Sequence, residues 1–295
     1  MIDDLIYILK NPAVYYTATI YVGLCVGSFL NVVIYRLPKM MVADFEIECK
    51  AYLTDEEEQK VEKTFLTLGN RSACPSCETQ LKSWHNIPVI SYLCLLGKCA
   101  YCKKPISARY PTVELMTALV SVLIVYILGF NATGLSVVLL SWLLIAASLI
   151  DYDTGLLPSQ LIFGALWLGL LVSTQGLFVS AESAIFGAAL GYSIMYVFNW
   201  LFKALRGYDG IGQGDFILMA AAGAWIGYDL VIGATLVAYL AFIFLELTKR
   251  MSMQNQEGID GEINEVPFAP YIAASLMAFL LYGEEIITFL PLLKI

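Results

Sequence analysis

Eight apolar runs, most of them long enough to cross a bilayer, constrain this chain more than any other feature. The first, residues 13–35, has 23 residues and stops at Arg36. A helix needs about 20 residues to span the hydrocarbon core. A cleaved signal peptide has a shorter apolar core, roughly 7–15 residues, behind a basic start. Here the start is Met1-Ile2-Asp3-Asp4, so the run reads as a retained first span. The others cover residues 112–130, 133–150, 161–178, 184–202, 216–226, 230–245 and 266–281. The sixth has only 11 residues before a break at Gly227-Tyr228-Asp229. Charge is nearly absent within the runs, as lipid requires. Across the 295 residues, 59% are hydrophobic and 14% charged. Soluble domains carry about 25% charge. The chain is therefore read as an all-α polytopic membrane protein of about eight transmembrane helices. A net charge of −8 disfavours nucleic acid as a partner.

Lysine and arginine bias sets the orientation. With the loop after span one in the cytoplasm, 15 of the 17 basic residues fall inside and two, Lys10 and Lys294, outside. Both termini then face away from the cytoplasm. Most of the polar chain lies between Arg36 and Pro111. Its first part, residues 42–71, holds the acidic run Asp55-Glu56-Glu57-Glu58 and reads as a solvated helical insert. Gly23 and Gly27 form a GxxxG pattern in span one, expected to serve close helix packing.

The second part of the loop carries Cys74-Pro75-Ser76-Cys77 and Cys99-Ala100-Tyr101-Cys102, with 21 residues between the inner pair. Two CxxC turns at about this spacing suit a four-thiolate zinc site. Metal ligation would also stabilise a unit too small to fold on an apolar core. A redox dithiol pair and inert structural cysteines are the other readings. Cys25, Cys49 and Cys94 have no partner at ligand spacing, and the odd total of seven speaks against a disulfide framework. His85 is the only histidine, which argues against histidine-dependent hydrolase triads. It is expected in a surface or hydrogen-bonding role.

Two acids stand at span ends. Asp151 closes span three in Leu149-Ile150-Asp151-Tyr152-Asp153, with Leu157-Pro158 following. Asp215 opens span six in Gly212-Gln213-Gly214-Asp215. Two spans separate them, so parity puts both on the cytoplasmic side. Paired carboxylates that share a proton can hydrolyse a peptide bond, one as base toward water and one as acid toward the carbonyl. A proton or ion relay and, for Asp215, a plain helix N-cap are the competing readings.

Taken together, these motifs resemble the bacterial type IV prepilin peptidases, bifunctional leader peptidase and N-methyltransferase enzymes of the GxGD aspartic class. The matching segments are Gly27-Ser28-Phe29-Leu30-Asn31-Val32-Val33-Ile34-Tyr35-Arg36-Leu37-Pro38, the two CxxC turns around Asn86-Ile87-Pro88-Val89-Ile90-Ser91-Tyr92, Arg109-Tyr110-Pro111-Thr112-Val113-Glu114, Asp151 with Leu157-Pro158, and Gly212-Gln213-Gly214-Asp215. They extend over roughly residues 20–245. The resemblance implies Asp151 and Asp215 as the peptidase pair, with Asp153 as runner-up for the first. It implies prepilins or pseudopilins of type IV pili or type II secretion as substrates. Their short basic leader would be removed at the cytoplasmic face of the bacterial inner membrane. The new N-terminus would be methylated from S-adenosylmethionine, in association with the cysteine-bearing domain. Many members have lysine two residues after the second aspartate and an acid after Leu-Pro; here those positions are Ile217 and Ser159. Gly97 is expected to be a turn glycine. The expected organisation is a first span (residues 1–36), a cytoplasmic domain binding structural zinc through Cys74, Cys77, Cys99 and Cys102 (37–111), and an intramembrane peptidase domain (112–295). The alternative is a membrane thiol–disulfide oxidoreductase using the CxxC pairs.

Overall fold

A computed structural model describes residues 11–54, 71–74, 76–253 and 267–289. Lys10, Lys294 and the acidic run at 55–58 lie outside them. Among the described residues the secondary structure is helical, with two isolated antiparallel bridges in the cysteine segment. The elements are α1 (Pro12–Thr54), a 3-10 turn (Ser83–Asn86), α2 (Ile90–Cys94), α3 (Arg109–Leu128), α4 (Ala132–Thr154), α5 (Ser159–Ser173), α6 (Ala181–Arg206), α7 (Gln213–Ile226), α8 (Tyr228–Met253) and α9 (Ala269–Phe289). Apart from α2, each helix matches one apolar run. Five of them (α1, α3, α4, α6 and α8) are long and apolar enough to cross a membrane by length and composition.

The chain divides into two compact units, Met1–Val138 and Leu139–Ile295. In the first, α1 packs along α3. A Cβ on Gly23 would sit 2.7 Å from the Ala118 Cα, and one on Gly27 would sit 2.6 Å from the Glu114 Cα. The GxxxG pattern is thus a close helix crossing that only glycine permits. Buried Thr117 and Ser121 donate their hydroxyls to carbonyls one turn back, so no polar group is stranded in the packed face. α1 runs 43 residues, straight through Pro38 and well past the expected end of the span. Residues 39–54 contain no glycine or proline and hold two each of Met, Ala, Glu and Lys, so they continue the helix beyond the apolar part.

In the second unit α7 is the central helix. At 14 residues it is about 21 Å long, short of the roughly 30 Å of a hydrocarbon core. It need not match the bilayer, because Phe216 and every residue from Leu218 to Ile226 are buried by neighbouring helices. Gly187 and Gly223 let α6 and α7 touch backbone to backbone. Gly169 of α5 makes room for the Trp225 indole, whose Nε1–H donates to the Ala165 carbonyl at 2.9 Å. Ser275 of α9 donates to the Ala234 carbonyl of α8 at 2.7 Å. Such short polar links and small-residue contacts hold helices together where lipid gives no hydrophobic drive. α6 starts at a serine cap, Ser180 accepting the Ser183 N–H. It stops at Gly207 in the left-handed region (φ 84°), with Lys203 and Arg206 in its last turn.

Candidate active site

Asp151 lies in the last turn of α4 and is 7% exposed. One of its oxygens accepts the Ala269 N–H at 2.9 Å, at the start of α9. That amide is one of the donors a helix N-terminus leaves unsatisfied. Gly155 (φ 65°) then turns the chain and donates its N–H to the Asp151 carbonyl at 2.8 Å. Asp153, two residues on, is exposed. Both acids lie in α4, where residues two apart point to nearly opposite faces, so one is buried and the other exposed.

Asp215 is the third residue of α7, and the N-cap position is Gly212. This corrects the simple N-cap expectation. The carboxylate instead reaches back toward the Gly212 amide, and its own N–H donates to the Gly212 carbonyl at 3.1 Å. A carboxylate in a first turn is also favoured by the helix dipole. Asp151 and Asp215 lie within electrostatic reach of each other. One glycine is central to that approach. A Cβ on Gly214 would stand 2.7 Å from the Leu157 Cβ and 3.0 Å from its Cδ2. Leu157, in the turn after Asp151, fills the space a side chain would need. The two aspartate motifs thus pack directly on each other.

The loop between α6 and Asp215 is tied down at its base. Asp209 accepts from Asn199 Nδ2 at 2.9 Å and from Lys203 Nζ at 2.8 Å. Asn199 Oδ1 in turn accepts the N–H groups of Gly210 (2.9 Å) and Ile211 (3.1 Å). Lys203 first, then Asn199, hold the Asp209 carboxyl below the ordinary carboxylate range. The ring of Tyr239 of α8 packs on Phe268, the neighbour of Ala269, at 4.9 Å. Neither the clamp nor Tyr239 was foreseen. The clamp joins residues 6–12 apart across a helix end, and Tyr239 sits in an otherwise apolar run.

The four cysteines form a second centre, in the first unit. Their Sγ atoms all lie within 4.8 Å of one another, with Cys74 and Cys102 at 3.9 Å. The two CxxC segments repeat one backbone pattern. Glu78 N–H donates to the Cys74 carbonyl and Cys74 N–H to the Thr79 carbonyl; Lys103 N–H donates to Cys99 and Cys99 N–H to Lys104 in the same way. Glu78 and Lys103 both take positive φ (55° and 60°). Each turn is closed by a bridge, Ala73 with Gln80 and Lys98 with Pro105. The side chain and amide of Thr79 pull the Cys77 thiol down to about 6. Amides of Cys102 and Tyr101 lower Cys99. The Lys104 amide favours the Cys102 thiolate, but burial and the other three sulfurs outweigh it and push that thiol up to about 11. Sulfurs around a tetrahedral zinc at about 2.3 Å would be about 3.8 Å apart. This cluster fits such an ion with little movement. His85 is not among the four ligands; its ring stands edge-on to Tyr101 at 5.6 Å. Gly97 has φ 68° and is a turn glycine, as expected.

Comparison with known proteins gives concordant results. Residues 21–128 match the Bacterial Peptidase A24 N-terminal domain, and residues 137–247 match the Type IV leader peptidase family. A prepilin leader peptidase/N-methyltransferase of Pseudomonas aeruginosa is 42% identical over 280 residues, covering 95% of this chain and 94% of the relative. Its namesake in Stutzerimonas stutzeri is 39% identical over 280 residues, covering 95% of each. That of Aeromonas hydrophila is 38% identical over 275 residues, covering 93% of each. No solved structure matches. The relatives' names lend no support to a thiol–disulfide oxidoreductase. With both family segments in order along a helical membrane chain, and relatives this similar over nearly its whole length, the protein belongs to the type IV leader peptidase family.

Proposed function

We propose that this protein removes the short leader of type IV prepilins or pseudopilins with an Asp151–Asp215 dyad and N-methylates the residue thereby exposed. The observation that carries this reading is the packing of Gly214, next to Asp215, against Leu157, in the turn after Asp151, in a chain of this family. Two carboxylates brought together by that contact would share one proton. The ionised partner takes a proton from water, whose oxygen attacks the scissile carbonyl carbon. The protonated partner donates to the carbonyl oxygen. As the tetrahedral intermediate collapses, the C–N bond breaks and the leaving amine takes a proton from the dyad. The Ala269 N–H, bound to one oxygen of Asp151, orients the other.

Methylation follows on the freed α-amino group. When bound, S-adenosylmethionine would supply the methyl group to that nitrogen and leave as S-adenosylhomocysteine. Cys74, Cys77, Cys99 and Cys102 would hold a structural zinc that staples the loop. The chain is organised as a first span (1–36), a cytoplasmic domain (37–111) and an intramembrane peptidase domain (112–295). It lies in the bacterial inner membrane with the cysteine loop in the cytoplasm, as the 15 to 2 split of basic residues supports. The test is to incubate detergent-purified protein with a purified prepilin and follow the product by mass. Loss of the leader followed by gain of one methyl group is expected. An unprocessed substrate in the presence of folded enzyme would overturn the reading.

A further inference from the structure

Residues 83–97 form an uncharged stretch, His85 aside, inside a loop that is otherwise polar. Lys82 and Lys98 bound it, and residues 87–96 are its mostly apolar part. A membrane span takes about 20 apolar residues, so this stretch is too short to cross. An apolar segment of such length either packs into a core or lies in the membrane interface. The structure excludes the first. No residue of the 3-10 turn or of α2 is buried. Trp84, Ile90, Leu93 and Leu96 are 61%, 58%, 64% and 83% exposed. Ile90 and Leu93, three apart on α2, share one face. Tyr92 instead donates its hydroxyl to the Ile106 carbonyl at 3.4 Å, so one side of α2 packs on the loop and the other does not.

Two long-range hydrogen bonds set the depth of this stretch. Buried Asn31, inside the apolar run 13–35, donates to the Tyr110 carbonyl at 3.1 Å. Buried Glu114, the third residue of the run 112–130, accepts the Val89 N–H at 2.7 Å. Val89 is held there in a turn of the rare positive-φ kind (φ 60°, ψ −49°), the Ile90 N–H closing back on the Pro88 carbonyl. α2 therefore begins level with the ends of two spans, where lipid headgroups meet acyl chains. The charge around it has one sign. Residues 71–111 hold Arg71, Lys82, Lys98, Lys103, Lys104 and Arg109 against a single acid, Glu78. Lys82 Nζ lies over the Trp84 ring, 5.2 Å from its centroid. A ring joined to a cation suits the interface, with its apolar body toward the acyl chains and its charge toward the headgroups.

We propose that residues 84–96 dock on the bilayer surface: Trp84, Ile90, Leu93 and Leu96 enter the boundary between headgroups and acyl chains, and the flanking lysines hold anionic phospholipid. Apolar side chains anchor a segment at that boundary, and basic residues gather anionic lipid beneath it. Lipid is the occupant because α1 and α3 already bring it to the level of Val89, and a protein partner would have to displace it. The cysteine cluster is built from the turns on either side of this stretch, so docking holds it against the bilayer. The inference stands on the membrane-spanning fold and is independent of both reactions proposed above.

The test is photocrosslinking of the full-length protein in vesicles of phosphatidylethanolamine and phosphatidylglycerol. Photoreactive benzoylphenylalanine replaces Leu96 in one variant and Glu78, also exposed, in another. After irradiation the peptides carrying the probe are weighed. Position 96 should give abundant phospholipid adducts, with phosphatidylglycerol above its share of the vesicle, and position 78 few. Burying one leucine or isoleucine favours the docked state about tenfold. Ile90→Asp/Leu93→Asp, at exposed positions, should therefore cut the adduct at position 96 by about tenfold or more. Chromatographic profile in detergent serves as the fold control. The comparison of positions 96 and 78 leaves Ile90 and Leu93 untouched, so it decides the matter even where the double variant misfolds. Adduct at 96 no more abundant than at 78, or an unchanged yield in the folded double variant, would overturn the proposal. So would a crosslink to a second chain as the main product, which would make the face a contact between copies. Phosphatidylglycerol at no more than its share would overturn the part given to the lysines.

Discussion

Replacing Gly214 by alanine adds one carbon at the point where the two aspartate motifs touch. The new Cβ would lie 2.7 Å from the Leu157 Cβ, whereas carbon atoms settle at about 3.5–4.0 Å. Something must therefore retreat by roughly 0.8 Å or more. The nearest obstacle is a Cβ, not the far end of a flexible chain, so the movement falls on backbone. Gly214 adjoins Asp215, and Leu157 sits in the turn that follows Asp151. Overpacking of this kind costs about 1–3 kcal/mol in stability, which a folded membrane enzyme can survive. Misplacing a catalytic group by about 1 Å costs about 100-fold in rate. Gly214→Ala should therefore lower kcat for prepilin cleavage by about two orders of magnitude, with methylation of a pre-cleaved peptide largely kept. Adding Leu157→Gly removes the obstructing carbon and should recover much of the loss. A Gly214→Ala enzyme cleaving within about threefold of wild type, under 1 kcal/mol in barrier, would refute the packing argument. So would a double variant no better than the single one.

Four further outcomes follow from the other contacts. Purified protein should carry one zinc per chain, which Cys74→Ser/Cys99→Ser loses and strong chelators remove with a fall in melting temperature; unchanged metal content in that variant would sink the assignment. Asp215→Asn should abolish leader removal yet still methylate a pre-cleaved pilin peptide, because the dyad and the cysteine segment belong to different compact units; loss of both activities in a folded variant would contradict this. Asn199→Ala frees the Gly210 and Ile211 amides and should increase proteolysis within residues 207–212, more than Lys203→Ala, which removes an exposed, screened ion pair. Because the Asp209 carboxyl is held below its ordinary value, the clamp is intact above that value and should loosen only as pH falls through the lowered one; limited proteolysis against pH measures it.

The sequence resolved the elements better than their contacts. Each apolar run became one helix, because burial in lipid leaves a helix as the way to pair every backbone group within the run. The short sixth run was the least secure by length, and the reason lies in packing: α7 is enclosed by other helices, which no count of apolar residues reveals. Apolar character stops at Arg36 while helix propensity does not, so the first span and the described start of the expected helical insert form one continuous helix. Spacing alone indicated the cysteine cluster, since a four-sulfur site is local to two turns. The separation of buried Asp151 from exposed Asp153 depended on family resemblance, because helix periodicity puts the two on opposite faces but does not say which face the neighbouring α9 will cover. The Glu114–Val89 bond, the Gly214–Leu157 contact and the Ala269 amide on Asp151 span 25, 57 and 118 residues. No periodicity or motif spacing encodes contacts at such separations.

The central claim is that Asp151 and Asp215 act as one catalytic unit on water. The most direct measurement is kcat/KM for prepilin cleavage by Asp151→Asn, Asp215→Asn, the double variant and Asp153→Asn, each purified in detergent and checked for fold. Residues acting as a unit are strongly non-additive, so each single variant should be almost as inactive as the double. Asp153→Asn should keep substantial activity, and wild type should show a bell-shaped pH profile belonging to the pair. A substantially active Asp151→Asn enzyme beside a dead Asp153→Asn one would move the first catalytic role to Asp153 and contradict the account.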